Sequence, residues 1–174
     1  LVHRALILAP KSVLRQWQEE LYEKFALNVP IYDGAAFRDV WGTTRTPATA
    51  NPWDDVSHRD VSHRDVSHSD VSRGDVSQSD VMFALASSQL VKRQDRRDAL
   101  LAARPWDLVI VDEAHHARRR DFLDLDRYRP NRMLELLNKL QHHTRGLLLM
   151  TATPMQVHPI EIWDLLNTLG LRGE

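Results

Sequence analysis

Four short apolar runs constrain this chain more than anything else in it: Ala5 to Ala9, Val81 to Ala86, Leu108 to Val111 and Leu147 to Met150. Each is rich in Val, Ile or Leu, is of strand length and does not alternate with polar residues, so both faces of each strand need cover. The intervening segments supply that cover with helical periodicity. Val13, Leu14, Trp17, Leu21 and Phe25 recur at three and four behind a predicted N-cap, Ser12, and their stripe is expected to face the sheet. Leu90, Val91, Gln94, Leu100 and Leu101 give a weaker helix, and Met133, Leu134, Leu137 and Leu140 a stronger one. A last helix runs from Pro159 through Ile162, Trp163, Leu166 and Leu169 to a stop at Gly170. Strands alternating with helices predict an α/β fold, a parallel sheet flanked by helices and joined by right-handed crossovers.

A chain of 174 residues with 43% hydrophobic content is sized for one globular domain. No apolar run approaches the roughly 20 residues of a membrane helix, so a soluble protein is expected. Twenty-three Lys and Arg against twenty-four Asp and Glu leave no overall basic excess, so any contact with DNA must be local. The absence of cysteine excludes disulfides, thiol catalysis and Cys-ligated zinc and suits a reducing compartment, which makes the cytoplasm the expected location. The chain enters its first apolar segment almost at Leu1, without a charged leader or cleavage site, and reads as a piece of a longer protein.

One stretch breaks the α/β pattern. Residues 54–79 hold a five-residue repeat, Asp55-Val56-Ser57-His58-Arg59 and four further copies. A period of five matches neither helix nor strand, because successive valines rotate about 140° around a helix or change face on a strand. Five copies make little more than one coil of a β-helix, so a polar, solvated insertion is preferred. His58, His63 and His68 have no fixed geometry there and are assigned no metal; His115-His116 and His142-His143 are read as surface or capping residues. Arg118 to Arg132, six Arg against three Asp, is read as a solvated loop rather than a DNA path. Trp41, Trp53 and Trp106 are read as packing residues.

The run Leu108 to Val111 empties into two adjacent carboxylates, Asp112 and Glu113. Ligand sites of open parallel sheets lie at that end of the strand. Nucleotide hydrolysis needs one carboxylate to hold Mg²⁺, usually through water, and another to orient or deprotonate the attacking water; Asp112 and Glu113 suit those two tasks. The layout recurs 39 positions after Asp112, where Leu147 to Met150 empties into Thr151-Ala152-Thr153. Thr151 and Thr153 are placed to bond the acidic loop and report on a γ-phosphate. Upstream, Pro10-Lys11-Ser12 closes a strand directly before a helix, where free N–H groups and the Lys11 ammonium can meet a phosphate.

Together these segments resemble the Swi/Snf-type ATPases of helicase superfamily two, from about Leu6 to Leu171. Ala5 to Glu20 is similar to motif Ia, including the Trp and Glu of its helix; Asp112-Glu113-Ala114-His115 to motif II; and Thr151-Ala152-Thr153-Pro154-Met155-Gln156 to motif III. Val81 to Gln89, with Ser87-Ser88, stands where the family places motif Ib. The resemblance implies an incomplete RecA-like P-loop NTPase lobe over residues 1–174 that uses ATP and Mg²⁺ and travels on double-stranded DNA. It implies Mg²⁺ on Asp112, water activation by Glu113, a link to motif III through His115, coupling through Thr151 and Thr153, and DNA contact by Pro10, Lys11, Ser12, Ser87 and Ser88. Val157, where many eukaryotic members have Asn, and Ala152, where Thr-Gly-Thr is usual, point to a divergent bacterial-type member working beside the nucleoid. No Gly-x-x-x-x-Gly-Lys-Thr/Ser phosphate loop occurs in these 174 residues, nor does the lobe that carries an arginine finger, so the chain alone is expected to be inactive. A restriction- or repair-type translocase, and a non-catalytic remnant that binds DNA or a partner, are the competing readings.

Overall fold

The computed structural model describes residues 2–55, 82–120, 129–153 and 159–171. The repeat from Val56 onward, the middle of the arginine-rich segment, and Pro154, Met155, Gln156 and Val157 lie outside them. The four expected strands form, as β1 (Arg4–Ala9), β5 (Met82–Ser87), β6 (Trp106–Val111) and β7 (Thr144–Leu149). They lie side by side and parallel in the order β5-β1-β6-β7, with Ile7 paired to both Leu85 and Ile110, and Ile110 to Leu148.

The sheet is nevertheless mixed. Three two-residue strands extend it beyond β5: β2 (Ile31–Tyr32) runs parallel to β5, whereas β3 (Phe37–Arg38) and β4 (Thr44–Arg45) are antiparallel. Two aspartates make the turns that pair them. Asp33 accepts from the N–H groups of Ala35 and Ala36, which hold its carboxyl below the usual range, and Asp39 accepts from those of Trp41 and Thr43.

Alternation along the strands divides the core. Leu6, Leu8, Ala84, Ala86, Val109 and Val111 face one side and share their cluster with residues of α3 (Gln94–Ala102) and α4 (Arg132–Leu140). Ile7, Ala9 and Leu85 face the other, against Leu14 of α1 (Leu14–Phe25). Ser12 is not the cap of α1. Val13 N–H bonds Pro10 C=O at 3.1 Å, which tightens Lys11–Val13 into a 3₁₀ turn and starts the helix one residue later than expected. The stripe also stops short, because Phe25, in the last turn, is 66% exposed. Gln18 is fully buried and donates to Val29 C=O and Arg38 C=O, fastening α1 to the antiparallel flank.

The weaker helix is two, α2 (Ser88–Val91) and α3, parted by an extended Arg93. Asn131 caps α4 through the N–H groups of Met133 and Leu134, and α5 (Ile160–Thr168) starts at Pro159 and ends before Gly170 as expected. Trp53 and Trp106 are buried edge to face, 6.1 Å apart; Trp41 is not a core residue, being 64% exposed and edge-on to Tyr22. Arg119 does not belong to a solvated loop: its guanidinium bonds both carboxylate oxygens of Asp164 on α5, at 2.9 and 2.6 Å, and both residues are buried. No helix among the described residues is long and apolar enough to cross a membrane.

Candidate functional site

The register brings the predicted residues to one rim. Ala9 pairs with Ser87, Leu8 with Val111 and Val111 with Leu149, so Pro10-Lys11-Ser12, Ser87-Ser88, Asp112-Glu113 and Thr151-Thr153 all follow the C-terminal ends of neighbouring strands. The ladder continues past the strands: Asp112 N–H donates to Leu8 C=O, Met150 N–H to Val111 C=O and Ala114 N–H to Met150 C=O, all within 2.9 Å. The acidic loop is thereby fixed between β1 and β7. It turns at Glu113, whose backbone is left-handed at φ 53° and ψ 46°, before the 3₁₀ turn Ala114–His116. A left-handed non-glycine residue costs on the order of 1–2 kcal/mol, which the surrounding ladder must hold in place.

Two neutral donors hold the Asp112 carboxylate. Oδ1 accepts from Glu113 N–H at 2.9 Å and Oδ2 from the indole Nε1–H of Trp17, also at 2.9 Å. Each oxygen keeps a lone pair for a further partner. Glu113 Oε2 is buried without a hydrogen-bond partner and lies 3.0 Å from His115 Nδ1, a close electrostatic approach that lacks hydrogen-bond alignment. The same Nδ1 is 3.2 Å from Thr151 Oγ1, which in turn accepts from Thr153 N–H at 3.2 Å. His115 thus bridges the two strand ends. The neighbouring His116 ring stands 4.2 Å from it, and the His116 pKa is lowered, first by burial and then by the adjacent His115.

At the other end of the rim, Gln89 gathers the phosphate-facing candidates. Its Oε1 accepts from Ser87 Oγ–H at 2.6 Å and from Lys11 N–H at 3.4 Å, while its N–H donates to Ser87 Oγ. Lys11 and Ser12 are exposed, Pro10 is half-buried, and Ser87 and Ser88 are buried. Two residues of this site were given no role by the sequence: Gln89, which only closes the segment placed at motif Ib, and Trp17, which was counted in the apolar stripe and in the resemblance to motif Ia.

Among the described residues no three His, Cys, Asp or Glu cluster as a metal cage. Mg²⁺ asks for less, since it commonly takes one or two carboxylates together with phosphate and water oxygens. The spare lone pairs of Asp112 and the unpartnered buried Oε2 of Glu113 fit such an ion and its water.

The profile of the SNF2-related domain matches residues 2–172. The chain belongs to that family. Its mixed, mostly parallel seven-stranded sheet with flanking helices is consistent with a RecA-like lobe of an SNF2-family ATPase domain. Among curated proteins it is similar to the RNA polymerase-associated protein RapA of Sodalis glossinidius (strain morsitans), with 27% identity over 154 residues. The RapA proteins of Yersinia pseudotuberculosis serotype O:1b (strain IP 31758) and Yersinia pestis (strain Pestoides F) are likewise 27% identical over 154 residues. In each case the match covers 88% of this chain and 12% of the relative, so this SNF2-related domain corresponds to a small part of those proteins.

Proposed function

We propose that this SNF2-related domain supplies the acidic side of an ATP site in a motor that moves along double-stranded DNA in the bacterial cytoplasm. The observation that carries the proposal is His115 Nδ1 standing 3.0 Å from Glu113 Oε2 and 3.2 Å from Thr151 Oγ1, which joins the water-activating carboxylate to a second strand end. Asp112 would hold Mg²⁺, through water, with the lone pairs its two N–H donors leave open. The ion, when bound, neutralises charge on the phosphates. Glu113 orients the attacking water and takes its proton as the oxygen bonds the γ-phosphorus and the bond to ADP breaks. Thr151 and Thr153 move with the state of that loop through His115. Lys11 and Ser12, with Pro10, face the DNA phosphate backbone without reading sequence, whereas Ser87 and Ser88, expected to share that contact, are buried and reach it only if DNA binding uncovers them.

The test is ATP hydrolysis by the full-length protein that carries this chain, with and without double-stranded DNA, beside the 174 residues alone. Turnover by the full-length protein alone, raised by DNA, is expected, because no phosphate loop occurs in these 174 residues. Full-length protein that does not hydrolyse ATP would leave a non-catalytic module that binds DNA or a partner.

A further inference from the structure

We infer that Trp17 is a positioning residue for the magnesium-bound nucleotide, through the hydrogen bond from its indole N–H to Asp112. The inference rests on the assignment of Asp112 to Mg²⁺ above and adds a residue to it. The bond spans 95 positions of sequence, from the second turn of α1 to the end of β6, and is 2.9 Å long. It is not a routine consequence of burying tryptophan. Trp53 and Trp106 are more deeply buried, and their indole nitrogens have no hydrogen-bond partner. This fold tolerates unpaired indole N–H groups, yet Trp17, only half-buried, directs its own at the acidic loop.

The chemistry of the donor matters as much as its place. An Arg or Lys against Asp112 would bring a positive charge that competes with a cation, as the guanidinium of Arg119 does when it occupies both oxygens of Asp164. An indole N–H fixes the carboxylate without neutralising it. With Glu113 N–H on Oδ1 and Trp17 Nε1–H on Oδ2, both oxygens are held by neutral donors and both keep capacity for a magnesium-bound water. Trp17 also belongs to the helix that follows Lys11 and Ser12, so one rigid element joins the phosphate-facing turn to the metal-facing carboxylate.

The experiment is the Mg²⁺ dependence of nucleotide binding, read by the anisotropy of a fluorescent ADP on the full-length protein, in wild type, Trp17→Phe, Asp112→Asn and the double variant. Loss of one hydrogen bond to a charged acceptor is expected to raise the Mg²⁺ midpoint about tenfold in Trp17→Phe. kcat should return towards the wild-type value at saturating Mg²⁺, and the thermal midpoint should stay close to wild type. In the Asp112→Asn background the Trp17 change should add little, because the two act as one unit. Trp17→His, which keeps a ring N–H, should recover part of the affinity and takes over the test if Trp17→Phe does not fold. An unchanged Mg²⁺ midpoint in the variant, or an equal effect with and without the Asp112 carboxylate, overturns the role of Trp17 alone. A wild-type protein with no Mg²⁺-dependent nucleotide binding overturns the assignment of Asp112 and, with it, this inference.

Discussion

The domain holds two pairs of acidic side chains in opposite conditions. On α5, Asp164 is 2% exposed and both of its oxygens are taken by Arg119, while Glu161, 3% exposed, lies 3.5 Å from Arg118. On the rim, the donors to Asp112 among the described residues are neutral, and Glu113 has a buried oxygen without a hydrogen-bond partner among them, on a left-handed backbone. The first pair satisfies its charges within the chain; the second leaves capacity open. A buried carboxylate matched by a guanidinium is architecture, and a partly exposed one held in place without a cation is open to a partner from outside.

Asp164→Ala should separate the two pairs most forcefully. It removes one side of a buried ion pair and should cost about 3–5 kcal/mol in urea unfolding. A variant as stable as wild type would remove Arg119–Asp164 from the architecture. At the rim, Glu113→Gln should leave unfolding unchanged while ATP turnover by the full-length protein falls at least ~10²-fold, a barrier increase of about 2.7 kcal/mol. Retained turnover would take the proton-accepting role from Glu113.

Smaller effects sharpen the contrast. Thr151→Ala and His115→Ala should each reduce DNA stimulation of turnover by roughly tenfold, and their combination should do no more than either alone; additive losses would break the bridge between the strand ends. Lys11→Ala should lower DNA affinity a few-fold and reduce the salt slope of binding by about one phosphate contact. An unaltered slope would move the DNA path elsewhere.

The smallest effect is that of His116, whose folded pKa lies below its ordinary value of 6.5, first because of burial. The unfolded chain takes up the proton more readily than the folded one, so the contribution is complete above about pH 6.5 and is lost as pH falls towards the lower folded value. Thermal midpoints between pH 7.5 and 5.5 should decline slightly less in His116→Gln than in wild type.

The same contrast marks how far the sequence was legible. The parallel strands were readable because residues such as Val109 and Val111 must be covered, and an apolar run carries that demand on its face. Asp112, Glu113 and Thr151 could be brought to one rim because parallel strands put all their C-terminal ends together. The antiparallel flank could not be read, since β2 to β4 are pairs of residues held by the turn chemistry of Asp33 and Asp39 rather than by any apolar pattern. Arg119 looked solvated because its partner lies 45 positions away, and charge in a loop says nothing of what folds back on it. Trp17 was placed by its apolar bulk and its motif, while its contact with Asp112 rests on one N–H.

The left-handed backbone at Glu113 sets folding and chemistry against each other at a single position. Glycine would relieve the strain there by on the order of 1 kcal/mol while deleting the carboxylate. A library of this domain screened only for expression or heat resistance would therefore enrich glycine at residue 113, and a consensus drawn from such survivors would erase the carboxylate proposed to activate water.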